Sequence, residues 1–110
     1  MEKIIHGSTN VFADIGLPDA TERQAKLKLA LAINDTITAR KLTQTQAANL
    51  LEINQPKISA LANYKLEGFS VERLMNFLTA LDRDVEIVIR KPKKRSKGST
   101  GRGEIRVAAA

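Results

Sequence analysis

Apolar residues return at helical spacing in three stretches of the chain and alternate in a fourth. From Asp19 to Arg40, Ala25, Leu29, Ala32, Ile33, Thr36 and Ile37 form one stripe at three- and four-residue intervals, which assigns them to the core face of an α-helix. Its start falls at Asp19 or Thr21, since Asp19 with Glu22 and Thr21 with Gln24 both fit a capping box. Leu27 and Leu31 fall on another side, so this helix is apolar around more of its circumference than a small monomer needs. Two coverings fit that excess, an N-terminal arm or a second subunit. Further on, Ser70 caps a helix with Glu72 in its first turn and Val71, Leu74, Met75, Leu78 and Leu81 along its core stripe, Phe77 nearby. Asp82-Arg83-Asp84 ends it, and Val85, Ile87 and Ile89 then alternate with Glu86, Val88 and Arg90, the period and β-branched content of a strand. A lone strand leaves a row of unsatisfied N–H and C=O groups. It must pair with the arm near Ile4–His6 or with its twin in a second chain, and a homodimer with the strand at its interface is the favoured arrangement.

Between these stretches, Thr43 to Lys65 reads as two short helices with a break. Thr43 and Gln46 form a capping box, so the first helix starts there with Gln44 at its exposed N-terminus, and Ala47, Leu50 and Leu51 share its inner face. That face ends at Glu52-Ile53. Asn54 can cap again, and Pro56 is tolerated only in a first turn, where its missing N–H would have had no partner. Ile58, Leu61 and Ala62 are then the inward positions, and Gln55, Lys57, Ser59, Ala60 and Asn63 point outward. Helices this short do not persist alone in water and must lean on the other elements. The outward face of the second is small and hydrogen-bonding, where an ordinary surface helix carries Glu–Lys pairs. Such a face suits the DNA major groove, which admits a helix and shows a distinct donor and acceptor pattern for each base pair.

The run LTQTQAANLLEINQPKISALANYKLEGFSVERLMNFLTALDRDVEIVIR resembles the Xre/Cro-type helix-turn-helix family, in particular the small single-domain branch that includes HigA-like antitoxins and stand-alone regulators. The likeness covers about Thr21 to Arg90, and the leader NVFADIGLPDA looks like the same branch. It implies a mainly α, lambda-repressor-like helix-turn-helix bundle with one short C-terminal β-strand. It also implies that Gln44 reaches a DNA phosphate from the start of the scaffold helix. Gln55, Pro56, Lys57 and Ser59 fall at recognition-helix positions facing base edges or the adjoining backbone, with Asn54 before them. Ala60 takes the place of a longer reader, and Asn63 and Lys65 fall where the following loop meets phosphate. Two departures stand out. Glu52 and Tyr64 occupy positions where relatives often have glycine, and a non-glycine residue at positive φ costs about 1 kcal/mol or forces a different turn.

Charge sharpens this picture. The formal charge of +6 belongs to residues 91–110, which hold seven basic groups and one acid, so residues 1–90 sum to zero. Within that neutral part, residues 40–65 carry +3 and residues 66–90 carry −2, which puts the proposed reading helix at the basic end of a polarised domain. The tail KPKKRSKGSTGRGEIRVAAA has the composition of a disordered segment when free. It serves as a solubilising extension, as an electrostatic arm along phosphate or in a minor groove, or as an address or membrane-surface tag. The expected division is an arm over 1–18, a helix-turn-helix domain over 19–90 and a basic disordered tail over 91–110.

The 110 residues suffice for one domain with a modest core but not for an enzyme with a deep cleft and a cofactor fold. With no cysteine there is neither a disulfide framework nor a thiolate zinc site, and a reducing cytoplasm is the natural compartment. No apolar run approaches transmembrane length, and the N-terminus lacks a signal-peptide pattern. His6, the lone histidine, makes neither a metal site nor a catalytic pair, so no catalytic residue, metal or cofactor is expected. One Tyr, three Phe and no Trp offer few stacking platforms for RNA. The sequence thus points to a cytoplasmic, sequence-specific repressor that binds a palindromic operator in double-stranded DNA as a homodimer. The alternative is an antitoxin whose main task is to bind and neutralise a toxin protein.

Overall fold

The computed structural model describes residues 19–91 and 103–109. The arm over 1–18, and with it any pairing near Ile4–His6, lies outside the described residues, as does the tail between 92 and 102. Among the described residues four helices form: α1 (Asp19–Ala39), α2 (Gln44–Leu51), α3 (Gln55–Ala62) and α4 (Val71–Ala80).

The three short helices start on the caps that their sequences carry. The Thr43 hydroxyl accepts from the Gln46 N–H at 3.1 Å while the Gln46 side chain accepts from the Thr43 N–H at 2.9 Å, closing both halves of a capping box. Asn54 and Ser70 each cap with a side-chain oxygen, accepting from the N–H groups of Lys57 and Arg73 at 3.0 Å. The far ends share one device. Lys41, Glu52, Tyr64 and Asp82 lie in the left-handed region with φ of 56°, 57°, 58° and 69°, and none of them is glycine. Each donates its N–H to the carbonyl three residues back, and the next residue donates to the carbonyl five back, as in Leu42 to Ile37 at 3.1 Å and Ile53 to Ala48 at 3.0 Å. This is the Schellman arrangement, which satisfies orphan carbonyls at a helix end. Glu52 and Tyr64 therefore keep the turn geometry that glycine favours and carry its strain, about 1 kcal/mol each.

The core gathers Leu29, Ala30 and Ile33 of α1, Ala47, Ala48 and Leu51 of α2, Ile58 and Leu61 of α3, and Leu74, Phe77, Leu78 and Leu81 of and after α4. Removing a Leu or Ile of this kind from water contributes about 1.5–3 kcal/mol, and the summed burial is what lets helices of eight residues persist. Phe69, in the loop before α4, is buried and meets Phe77 edge-on, ring centroids 5.8 Å apart. The Arg40 guanidinium donates to the Leu81 carbonyl and that of Arg83 to the Thr36 hydroxyl, both at 3.1 Å, tying α1 to the end of α4.

Three inner positions differ from the stripe reading. Leu50 is 40% exposed, and Ala48 is buried in its place. Ala30 is fully buried although the stripe omits it. Ala60, expected to point outward, is half-buried against the core. Leu27 and Leu31 are exposed, and the groove beside Leu31 and Ala32 is lined by Val107, Ala108 and Ala109, with Val107 half-buried against the core. No β-strand is present among the described residues. The alternating segment after Asp84 packs only Val85 against the core, and among the described residues none forms a ladder with the rest.

Candidate nucleic-acid interface

Two helices joined through Glu52 and Ile53 present one surface. The turn is set by the left-handed Glu52, whose following N–H, that of Ile53, reaches back to Ala48. Asn54 then starts α3 at once, with Pro56 in its first turn. Ile58 and Leu61 anchor α3 from below. From α1, the Asn34 amide donates to the Leu61 carbonyl at 3.1 Å and so holds the last turn of α3. Asn34 was not among the residues singled out by pattern. Its signal is an amide placed directly after the apolar run Leu29–Ile33 of α1.

On the outer side, Gln55 Nε2 donates to Gln44 Oε1 at 3.0 Å, joining the first residues of the two helices across the turn. Each amide has capacity left. Gln44 keeps its NH₂ donors, and Gln55 keeps an acceptor oxygen and a second N–H, the complementary pair that meets an adenine edge. Pro56, Asn63 and Lys65 are exposed close by, and Ser59 is half-exposed. The Asn63 amide donates to the Ser59 carbonyl at 2.9 Å, closing the last turn of α3. The exposed Asn54 spends its side-chain oxygen on the cap.

Lys57 is placed differently from a free outward reader. Its amine donates to the Gly68 carbonyl at 3.4 Å and lies 5.0 Å from the centre of the Phe69 ring, so it bridges the start of α3 to the loop before α4. A methyl group at Gly68 would meet that amine at 3.0 Å, so glycine leaves the room the bridge needs. Among the described residues no group of three or more His, Cys, Asp or Glu could hold a metal, and no helix is long and apolar enough to cross a membrane.

A sequence model of the helix-turn-helix domain matches residues 11–90. A solved structure described as an XRE family transcriptional regulator is 60% identical, with a TM-score of 0.73, over 84% of this chain and 100% of that one. The chain belongs to the Xre-type helix-turn-helix family. Among curated proteins no relative matches it. As an Xre-type protein it is a DNA-binding regulator of transcription, and its second helix-turn-helix element is α3. The family match starts at residue 11, ahead of α1.

Proposed function

We propose that this Xre-type protein is a sequence-specific repressor that binds a palindromic operator as a homodimer, with α3 of each copy in a major groove. The observation that carries this reading is the Gln55–Gln44 hydrogen bond, which holds a base-reading amide and a phosphate-reaching amide as one unit. In the proposed complex Gln44, Asn63 and Lys65 set the register on phosphates, Gln55 pairs with an adenine edge, and Pro56 and Ser59 line the groove side. Asn54, Lys57 and Ala60 shape the reading surface from its edges: Asn54 caps α3, Lys57 ties it to the next loop, and Ala60 packs under it. One eight-residue helix makes few base contacts, and two copies reading half-sites about one helical turn apart supply the rest.

Selecting bound sequences from a random pool and repeating the selection with Gln55→Ala tests this. The wild type should recover an inverted repeat, and the variant should lose preference at one base pair per half-site, by about 1–3 kcal/mol. An unchanged motif with Gln55→Ala would remove the amide from its reading role. The second reading is an antitoxin, for which Leu27 and Leu31 of α1, 44% and 42% exposed, give an apolar surface outside the α2–α3 pair. Tight operator binding by the purified protein alone favours the repressor.

A further inference from the structure

Arg23, Leu27 and Leu31 stand four residues apart on α1 and so share one ridge, turned away from the core face of Leu29, Ile33 and Thr36. All three are exposed, and the two leucines leave an apolar stretch open to water on a helix whose other face is buried. The C-terminal segment covers only one flank of this ridge. Val107, Ala108 and Ala109 line the groove beside Leu31 and Ala32, and Leu27 lies outside that groove. Charge is unspent here as well. Lys26 pairs with Glu22 at 3.3 Å, whereas Arg23 forms no ion pair among the described residues. Two leucines are a small patch beside the roughly 800 Å² per partner that a stable dimer buries, so a second copy gains little from them. A segment tethered next to the patch meets it at an effective concentration on the order of millimolar.

We propose that the occupant of this ridge is the chain's own leader, residues 11–15, folded back along α1 so that Asp14 meets Arg23 and Phe12 seats on Leu27 and Leu31. The leader lies outside the described residues, and its sequence and length carry the assignment. Gly16-Leu17-Pro18, directly ahead of α1, is turn chemistry that reverses the chain. A turn over residues 15–18 returns Ile15 to within about 7 Å of Pro18, at the first turn of α1. Asp14 and Phe12 then follow about 3 and 10 Å further along the axis in extended chain. Arg23 and Leu27 start about 6 and 12 Å along α1, and their side chains lean back toward its N-terminus, so both pairs meet. The register holds because two extended residues advance about 6.6 Å while four helical ones rise about 6.0 Å. In the opposite phase Val11, Ala13 and Ile15 face the ridge, which turns Phe12 out to water and leaves Arg23 without an acid. A leader seated on Leu27 and Leu31 closes the face that the antitoxin reading uses, so leader docking and toxin binding would be alternatives on one surface. The docking itself rests on neither reading of function.

The chain has no tryptophan, so Phe12→Trp in the full-length protein reports on this contact alone. Its emission should be blue-shifted and shielded from acrylamide, to the same degree at low and high protein concentration. Adding Leu27→Asp or Leu31→Asp should shift the emission to that of tryptophan in water, whereas Leu50→Asp, similarly exposed but on α2, should leave it in place. Asp14→Arg should cause a smaller red shift by setting two like charges together, and Asp14→Arg combined with Arg23→Asp should reverse it. The three leucines are all exposed, and circular dichroism of each variant checks that the helices are retained. Water-like emission from Phe12→Trp alone, a blue shift that survives both aspartates on α1, or no recovery in the charge-swapped pair would each overturn the proposal. So would a blue shift that appears only as concentration rises, since the ridge would then belong to a second copy.

Discussion

The α2–α3 pair and the segment 84–91 have similar apolar content and opposite fates in a single chain. In α2–α3 nearly every end is tied: two side-chain caps, two left-handed exits and an amide from α1 on the last turn. In 84–91 no backbone group finds a described partner. The difference lies in range. A helix satisfies its backbone from within, so a core stripe of Ile58 and Leu61 is enough to seat it, whereas a strand needs another strand beside it.

Cutting the core beneath α3 should break this comparison most severely. Leu61→Ala removes a fully buried side chain and should cost about 2–5 kcal/mol in denaturant unfolding, while Ile87→Ala in dilute protein should change stability by less than about 0.5 kcal/mol. Equal losses at the two sites would mean that 84–91 is packed as α3 is. Next in size, Asn34→Ala should cost about 0.5–1.5 kcal/mol, since the Leu61 carbonyl loses its donor from α1 and keeps the Tyr64 N–H, with hydrogen exchange rising first in the last turn of α3. Asn54→Ala should cost about 1 kcal/mol through loss of the cap. Lys57→Met keeps the stem and removes the bridge. It should lower thermal stability slightly and leave the salt dependence of operator binding as in the wild type, whereas a slope reduced by about one would show a phosphate contact instead. Smallest and opposite in sign, Glu52→Gly should stabilise by up to about 1 kcal/mol, as relief of left-handed strain outweighs the added freedom of the unfolded chain.

The helices and their caps were legible because each rests on residues within a few positions of one another. Thr43 with Gln46, Asn54 and Ser70 announce starts that the structure repeats. The ends were harder to read, since Lys41, Glu52, Tyr64 and Asp82 take a conformation whose usual marker is glycine. Facing was legible for long helices and failed on short ones: eight residues give the period too few repeats to choose between Ala48 and Leu50. In the site, Gln44 and Gln55 could each be picked out by position, but not their mutual hydrogen bond across the turn. Nor could the inward reach of Lys57, which depends on Gly68 and Phe69 folding back beside α3. Contacts between residues eleven apart follow from how the loops close, and local pattern carries no record of that.

In the proposed complex, a single amide-to-amide link between the ends of two helices would also make the reader answer to duplex shape. If the strand that Gln44 grips lies further out, as where a groove widens, the pull is passed through Oε1 to the partner amide and tilts it off its base. Operators with the same letters at that position but a different local width would then be ranked differently, and cutting the link with Gln44→Ala should make the ranking depend on letters alone.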